Sequence, residues 1–255
     1  MKKLFPFICL ILSVLFFSCS SQKISLQQTS GFKSPQDIVN YLIMNIKTGN
    51  FDNTLKTSVF FYDNIIEKLD AKELAKQQFI IHPFNNLNSP KEYHSITKAR
   101  FLGQHASYIQ MFVSSLLLPQ EFNDFLEGEP ISLLPSSPIN EKLLDAYFSS
   151  LSNLSDLESL ELIRMDITLP KYQFDADFKQ TSELGKLIYK YDEIIDYTVL
   201  FKMNNKYYSG GYLFFRYGSD WYIANYRSIF GETSAYGSVN LVSGIQEYLS
   251  IFHLE

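Results

Sequence analysis

Hydrophobic residues are unevenly spaced along the 255-residue chain, and the changes in spacing mark its parts. A predominantly apolar run from Leu4 to Phe17 follows two lysines at the N-terminus. Fourteen helical residues would span roughly 21 Å, which is short of the roughly 30 Å hydrocarbon core of a membrane. The run is therefore typical of a secretory signal peptide rather than of a spanning helix.

Helical signals dominate from residue 34 to about residue 160. Ser34 and Pro35 place a hydroxyl at an N-cap and a proline in a first turn, and Gly49 is a typical residue for ending the helix that follows. Similar starting signals recur at three further places: Asp70, Ser89-Pro90 and Ser137-Pro138. A further helix is predicted from residue 105 to residue 118, before Pro119.

A two-residue period follows Asp166 and predicts a half-buried strand. Its apolar positions alternate with charged and polar ones, and they are Tyr172, Phe174, Ala176 and Phe178.

Two hairpins are predicted in the last third of the chain. Asn204-Asn205 and Gly218-Ser219 each separate two β-rich runs, and Asn and Gly tolerate the positive φ that a two-residue turn requires. Gly210-Gly211, in the middle of a run, predicts a β-bulge or a bend. The expected fold class is therefore α+β, with a helical N-terminal half and a C-terminal curved antiparallel β-sheet (a meander) packed on helices in a single domain over residues 34–255.

Composition and charge reduce the classes of function that the protein could have. The chain is 46% hydrophobic with a formal net charge of −5, so it has the apolar content of a folded domain and lacks the basic excess of a nucleic-acid binder. No nucleic-acid partner is expected.

The end of the first apolar run resembles the lipobox of bacterial lipoproteins. The matching residues are Phe16, Phe17, Ser18 and Cys19. This resemblance implies a signal peptide over residues 1–18, cleavage before Cys19 and lipidation of that cysteine. The segment that follows is polar and rich in Ser and Gln, which predicts a flexible tether over residues 19–33. The resemblance also implies a membrane as partner, and Ser20 resembles the pattern that sorts lipoproteins to the outer rather than the inner membrane. An ordinary signal peptide with an incidental cysteine is the alternative.

Cysteine usage agrees with the lipoprotein hypothesis. Cys9 lies within the signal peptide, which leaves Cys19 as the sole cysteine of the mature chain and rules out an internal disulfide.

Both ends of the folded part resemble envelope lipoproteins of the NTF2-like superfamily. The similarity rests on the Ser-Pro-capped helix, on residues 48–52 after it, and on the closing hairpin at residues 212–223. Such a fold wraps a curved sheet around helices and leaves a cavity between them. Residues 85–160 would then be a helical insertion.

The sequence contains no recognised catalytic motif, so we expect no catalytic residue, cofactor or metal site. The histidines do not form pairs at metal-ligand spacing and are predicted to be separate surface or capping residues. The acidic pair Asp175 and Asp177 is expected on a solvated face of the predicted strand. If the domain were an acid–base enzyme of the NTF2-like type, the candidates would be His82, His94 and Asp196.

A ligand pocket is predicted on the C-terminal sheet. With the two hairpin turns as above, Tyr197 pairs with Tyr212 and Phe214 pairs with Ile223. One apolar face would then also carry two polar side chains, an arrangement suited to ligand binding. The predicted ligand-binding residues are Tyr197, Tyr212, Arg216, Trp221 and Asn225.

These observations predict a lipid-anchored cell-envelope protein with a non-enzymatic binding or scaffolding role. Its expected partner is an envelope protein or a small ligand. A small-molecule-binding or acid–base enzyme domain of the NTF2-like type is the alternative.

Overall fold

The computed structural model of the protein describes residues 31–62, 65, 94–118, 141–168, 176–226 and 237–250. The predicted signal peptide, Cys19 and the helix starts at Asp70, Ser89-Pro90 and Ser137-Pro138 lie outside these residues. Residues from Gly31 onward form one compact unit. No helix among the described residues is long and apolar enough to cross a membrane.

The described helices are α1 (Pro35–Lys47), α2 (Phe51–Thr54), α3 (His94–Leu117), α4 (Glu141–Ser152), α5 (Ala176–Tyr189) and α6 (Ile245–Ser250). Short 3₁₀ helices cover Leu55–Thr57, Val59–Phe61 and Leu154–Ser159. The strands are β1 (Glu161–Ile167), β2 (Glu193–Met203), β3 (Lys206–Tyr217), β4 (Asp220–Asn225) and β5 (Asn240–Val242).

The strands form one antiparallel sheet in the order β1-β2-β3-β4, and β5 pairs with the beginning of β3. Helices and this antiparallel sheet make the protein α+β, as predicted. Both predicted hairpins are present: Asn204 and Asn205 have φ of 47° and 64°, and Gly218 has φ of 61°. The predicted pairs Tyr197–Tyr212 and Phe214–Ile223 are confirmed.

Helix α1 begins and ends where its sequence predicts. The Ser34 hydroxyl accepts a hydrogen bond of 3.1 Å from the amide of Asp37, and the chain turns at Gly49 with φ of 68°. Its buried aliphatic side chains pack on one face of the sheet, and they are Ile38, Val39, Leu42, Ile43 and Ile46.

That side of the sheet, called here the α1 face, carries Tyr212, Phe214 and Ile223 and forms the larger core with α1 and the second half of α3. The opposite side, called the α5 face, carries Leu213, Phe215 and Tyr222. It packs against α5 and against the 3₁₀ segment that contains Val59. Because both faces are covered, the aromatic residues of β3 are buried on alternating sides.

The predicted bulge at Gly210-Gly211 is wrong. Both glycines pair in regular register with Val199 and Thr198 of β2. Gly210 instead lies close to other side chains. A methyl group added there would lie 3.0 Å from a side-chain carbon of Val239. The glycine therefore serves close packing in the sheet.

The predicted strand that includes Ala176 and Phe178 is also wrong over its described part, because α5 begins at Ala176. Leu184 and Ile188 lie one helical turn apart and pack together on the α5 face, so burial follows a helical period here. The two-residue alternation of apolar and polar positions covers only four apolar residues, and the helical spacing of the buried residues after it decided the local structure. Tyr172, Phe174 and Asp175 lie outside the described residues.

The last three residues of the predicted tether, 31–33, are described and contact β4. Phe32 forms a β-bridge with Trp221, and its carbonyl accepts a 2.8 Å hydrogen bond from the Trp221 amide. Lys33 forms an ion pair of 2.6 Å with Asp220. Residues 19–30 of the predicted tether lie outside the described residues.

Candidate functional site

A cavity of about 230 Å³ lies between the first half of α3 and the α5 face of the sheet. Four elements and the end of α5 contribute to its wall. The lining residues are Val59, Phe60, Phe101, Gln104, His105, Tyr108, Tyr189, Leu213, Phe215, Ala224 and Asn225. Gln104 is exposed, so the cavity reaches the surface beside this residue.

A β-bulge in β4 shapes this cavity. The pairing shifts between Phe214, which lies opposite Ile223, and Leu213, which lies opposite Asn225. Ala224 is the extra residue, so Ala224 and Asn225 both line the cavity. Bulges re-aim side chains in this way. The predicted position of Asn225 on the face of Tyr212 is therefore wrong: Asn225 lies on the α5 face.

A buried hydrogen-bond network borders the cavity. The Nε2 atom of His105 lies 3.0 Å from the Tyr226 hydroxyl and 3.1 Å from the Thr57 hydroxyl. The Thr57 hydroxyl donates to the Thr54 carbonyl at 2.7 Å, and the Thr54 backbone is also bonded to the imidazole. A neutral imidazole has one donor and one acceptor nitrogen, so it can satisfy this network by donating to the Thr54 carbonyl and accepting from the Tyr226 hydroxyl.

Burial determines the charge of this network. It lowers the pKa of His105 to about 3, an effect that the hydrogen bond to Thr54 opposes only in part. Burial also raises the pKa of the Tyr226 hydroxyl. Both groups are therefore uncharged near neutral pH and far from the pKa that efficient proton transfer requires. The arrangement suits hydrogen bonding rather than acid–base catalysis.

Two buried side-chain oxygens near the cavity and the core lack a hydrogen-bond partner among the described residues. They are Oδ1 of Asn225, a residue that lines the cavity, and the hydroxyl of Tyr212 on the α1 face. Buried polar groups are nearly always hydrogen-bonded, so these two atoms are exceptions in the described part of the chain. Because Oδ1 of Asn225 is shielded from solvent, this atom presents no surface to the cavity.

Aromatic rings supply most of the remaining wall. Phe60 and Phe101 stack with their ring centroids 4.1 Å apart and their planes within 5°. Tyr189 and Phe215 form a second pair at 5.4 Å with tilted planes. The cavity thus combines apolar aromatic surface with a few polar atoms, which is typical of small-molecule sites.

The other predicted ligand-binding residues do not reach this cavity. Tyr197, Tyr212 and Trp221 share the α1 face as predicted, and they pack in the core there or against it. The structure brings them together with one another but separates them from Asn225.

Arg216 lies at the end of the sheet near the second hairpin turn. Its guanidinium donates to Glu193 at 2.8 Å and to the Gly218 carbonyl at 2.9 Å, and it lies 5.7 Å from the Trp221 ring. Glu193, across the strand, and the Gly218 carbonyl, in the turn, therefore already bind its guanidinium, and Arg216 is not among the described lining residues of the cavity.

Two of the three residues proposed for an acid–base enzyme are described, and they lie on different elements. His82 lies outside the described residues, and His94 begins α3 eleven positions before His105. Asp196 is buried in β2, where its carbonyl accepts a hydrogen bond from the Thr168 amide. Nothing in the part of the chain that the structure describes groups three or more His, Cys, Asp or Glu residues for a metal ion.

The residues that build the network were not predicted as a group. The prediction that the histidines are surface or capping residues is wrong for His105, which is only 5% exposed. A signal existed in the sequence, because His105 starts a stretch of α3 that is apolar on one side. Its partners Thr57 and Tyr226 have no such marker.

A second, larger groove of about 350 Å³ lies along the outer part of α3, beside α2 and α4. Ile109, Val113 and Leu117 contribute its floor, and Asp52 and Gln110 are among its few polar residues. The described lining of the cavity beneath α3 combines several aromatic rings with His105 and Asn225, so that cavity is the better candidate for a specific site.

Comparisons with known proteins do not identify a family. No protein-family model matches the chain, and no curated protein matches it. The crystal structure of a cystatin-like protein from Ruminococcus gnavus is similar with a TM-score of 0.44 and 12% sequence identity, over 82% of this chain and 45% of that chain. The chain thus spans less than half the length of that protein. So low a similarity carries no conclusion about function, and the NTF2-like resemblance stays a prediction.

Proposed function

We propose that this protein is a lipid-anchored cell-envelope protein whose folded domain binds a small ligand without catalysing a reaction. Cys19 would carry the lipid and hold the domain at the membrane, with the outer membrane as the expected location. The cavity beneath α3 would be the binding site.

One observation carries the binding role: a cavity of about 230 Å³ that reaches the surface and whose described wall combines aromatic rings with a few polar side chains. An apolar cavity with a few polar groups is the usual form of a small-molecule site. The neutral His105–Tyr226 network supports the non-enzymatic part of the proposal.

The experiment uses the full chain, purified from cell membranes in a mild detergent. Small molecules released on denaturation are identified by mass spectrometry for the wild type and for two variants. Ala224→Leu places three additional carbons in the cavity wall. Ala106→Leu makes the same change at an exposed position of the second groove and is the matched control.

A compound that accompanies the wild type and Ala106→Leu, but is lost from Ala224→Leu, is the expected result. Crosslinking in cells runs in parallel, because a scaffold would instead yield a reproducible protein partner with all three proteins. Recovery of that partner together with no cavity-dependent compound would overturn the proposal.

A further inference from the structure

We propose that the first part of α3, residues 94–102, is a lid that opens and closes the cavity by bending at Gly103. This proposal rests on the proposed function, because it says how a ligand would enter that binding site. It is supported by the burial of α3, by the backbone at Gly103, and by what the first part of the helix contacts.

Burial divides α3 into two parts at His105. Residues 95–104 are exposed or half-buried, and no side chain among them is buried. From His105 onward the helix has a buried face, and His105 itself reaches the hydroxyls of Tyr226 and Thr57. The buried side chains of this second part are His105, Ile109, Phe112, Val113, Ser115 and Leu116. The second part is therefore anchored in the domain, whereas the first part can move without exposing a buried side chain of its own.

The backbone of α3 is weakest at Gly103, which lies beside the boundary between the two parts. Glycine within a helix has more conformational freedom than other residues and makes the helix less stable than alanine does. The Ser107 hydroxyl donates a hydrogen bond of 3.1 Å to the Gly103 carbonyl. Helices often bend at such back-bonded serines and at pairs of Gly and Ser. Gly103 is therefore suited to act as a hinge.

The first part of α3 contacts the 3₁₀ segment Val59–Phe61 through aromatic rings. Phe101 stacks on Phe60 with the ring centroids 4.1 Å apart, and both residues line the cavity. The ammonium of Lys98 lies 5.8 Å from the centroid of the Phe61 ring. Bending at the hinge would separate these contacts and widen the cavity. Ring stacking and cation–π contacts are individually weak, so they hold the lid closed but allow it to open.

The rate at which a reagent reaches the cavity measures the movement of the lid. Ala224→Cys places a thiol in the cavity wall, and its reaction with a pyrene maleimide is followed by mass spectrometry of the peptide that contains position 224. The full chain is used in detergent without added ligand. Ser219→Cys places a thiol in the exposed second hairpin turn and is the control. We expect the thiol in the cavity wall to react more slowly than the thiol in the turn.

Two further variants change the lid in opposite directions. Gly103→Ala stiffens the helix, so the reaction at position 224 should become about fivefold slower. Nothing lies within 4 Å of the added methyl group, so this variant should fold normally. Phe61→Leu removes the ring beside Lys98 and should make the same reaction about threefold faster. Neither change should alter the rate for Ser219→Cys.

A rate at position 224 that Gly103→Ala leaves unchanged or increases would overturn the lid. A thiol in Ala224→Cys that reacts as fast as the one in Ser219→Cys would also overturn it, because the cavity would then be permanently open. A thiol that never reacts would mean that the cavity does not open. These rates are measured without ligand, so failure of the lid is distinguishable from failure of the proposed function, which the co-purifying compound tests.

Discussion

At the scale of single residues, His105 shows how burial sets chemistry. Its imidazole extends from α3 into a buried network, where Nε2 lies 3.0 Å from the Tyr226 hydroxyl and the ring is bonded to the Thr54 backbone. An exposed histidine would be protonated below about pH 6.5, but protonation here would place a charge in an apolar environment. The residue therefore acts as a fixed, neutral hydrogen-bonding group.

We predict that His105 makes the protein less stable in mild acid. Its pKa is about 3 in the folded protein and about 6.5 in the unfolded chain. Between these values the unfolded chain binds one more proton, so the free energy of unfolding decreases as the pH falls through this window. From pH 7 to pH 5 the wild type should lose about 2 kcal/mol more than His105→Gln.

Urea unfolding of both proteins at the two pH values measures this difference. Other ionisable groups are common to the two proteins, so their contributions cancel in the comparison. Equal losses for the wild type and the variant would mean that the imidazole titrates normally and is not shielded.

At the scale of elements, the position of α3 over the sheet depends on the close approach of the Gly237 backbone to the Tyr108 backbone in α3. Gly237 has φ of 89°, and its amide donates to the Tyr226 carbonyl at 2.9 Å. A methyl group on Gly237 would overlap the carbonyl group of Tyr108 in α3. Glycine is therefore required twice here, for its conformation and for the contact between the loop and the helix.

We predict that Gly237→Ala lowers the free energy of unfolding by about 3 kcal/mol or more, from left-handed backbone strain and from overlap with Tyr108. Gly49→Ala is the matched control, because Gly49 also has positive φ but nothing lies within 4 Å of the added methyl group. That control should cost only about 1–2 kcal/mol. Denaturant unfolding of both variants tests the difference, and equal costs would refute the close approach.

The first strand illustrates protection of a sheet edge. β1 stands at one end of the strand order, and its register shifts between Leu162 and Arg164. Arg164 and Asp166 form an ion pair along this strand. Charged side chains and irregular register both disfavour pairing with another chain, so this edge is poorly suited to β-strand addition.

At the scale of the whole molecule, both faces of the sheet are covered, and Phe32 and Lys33 connect the beginning of the described chain to β4. Cys19, which the lipobox resemblance predicts to be lipidated, lies outside the described residues.

We predict that Cys19→Ala abolishes lipid attachment. Metabolic labelling with palmitate followed by membrane fractionation should show a labelled, membrane-bound wild type, and an unlabelled variant that is soluble or remains as precursor. Cys9→Ala is the matched control, because Cys9 lies in the segment that cleavage would remove, and its label should be unchanged. An unlabelled wild type in the soluble fraction would exclude the lipoprotein hypothesis.

Features that depend on a few consecutive residues could be predicted from the sequence. The cap at Ser34, the turns at Asn204-Asn205 and Gly218-Ser219, and hence the pairing of Tyr197 with Tyr212, follow from local backbone preferences. Two-residue turns set the register of the strands that they join, so the α+β class and much of the sheet were determined at this level.

The candidate site was decided only by tertiary structure. The bulge at Ala224 carries no glycine to mark it, and it moved Asn225 to the opposite face of the sheet. The network joins His105 to Tyr226, which is 121 positions away. The burial and the pKa of His105, and the lack of a described partner for the Asn225 oxygen, all depend on contacts between residues that are far apart in the sequence. Local spacing therefore determined which elements form, whereas packing between distant elements determined where a ligand could bind.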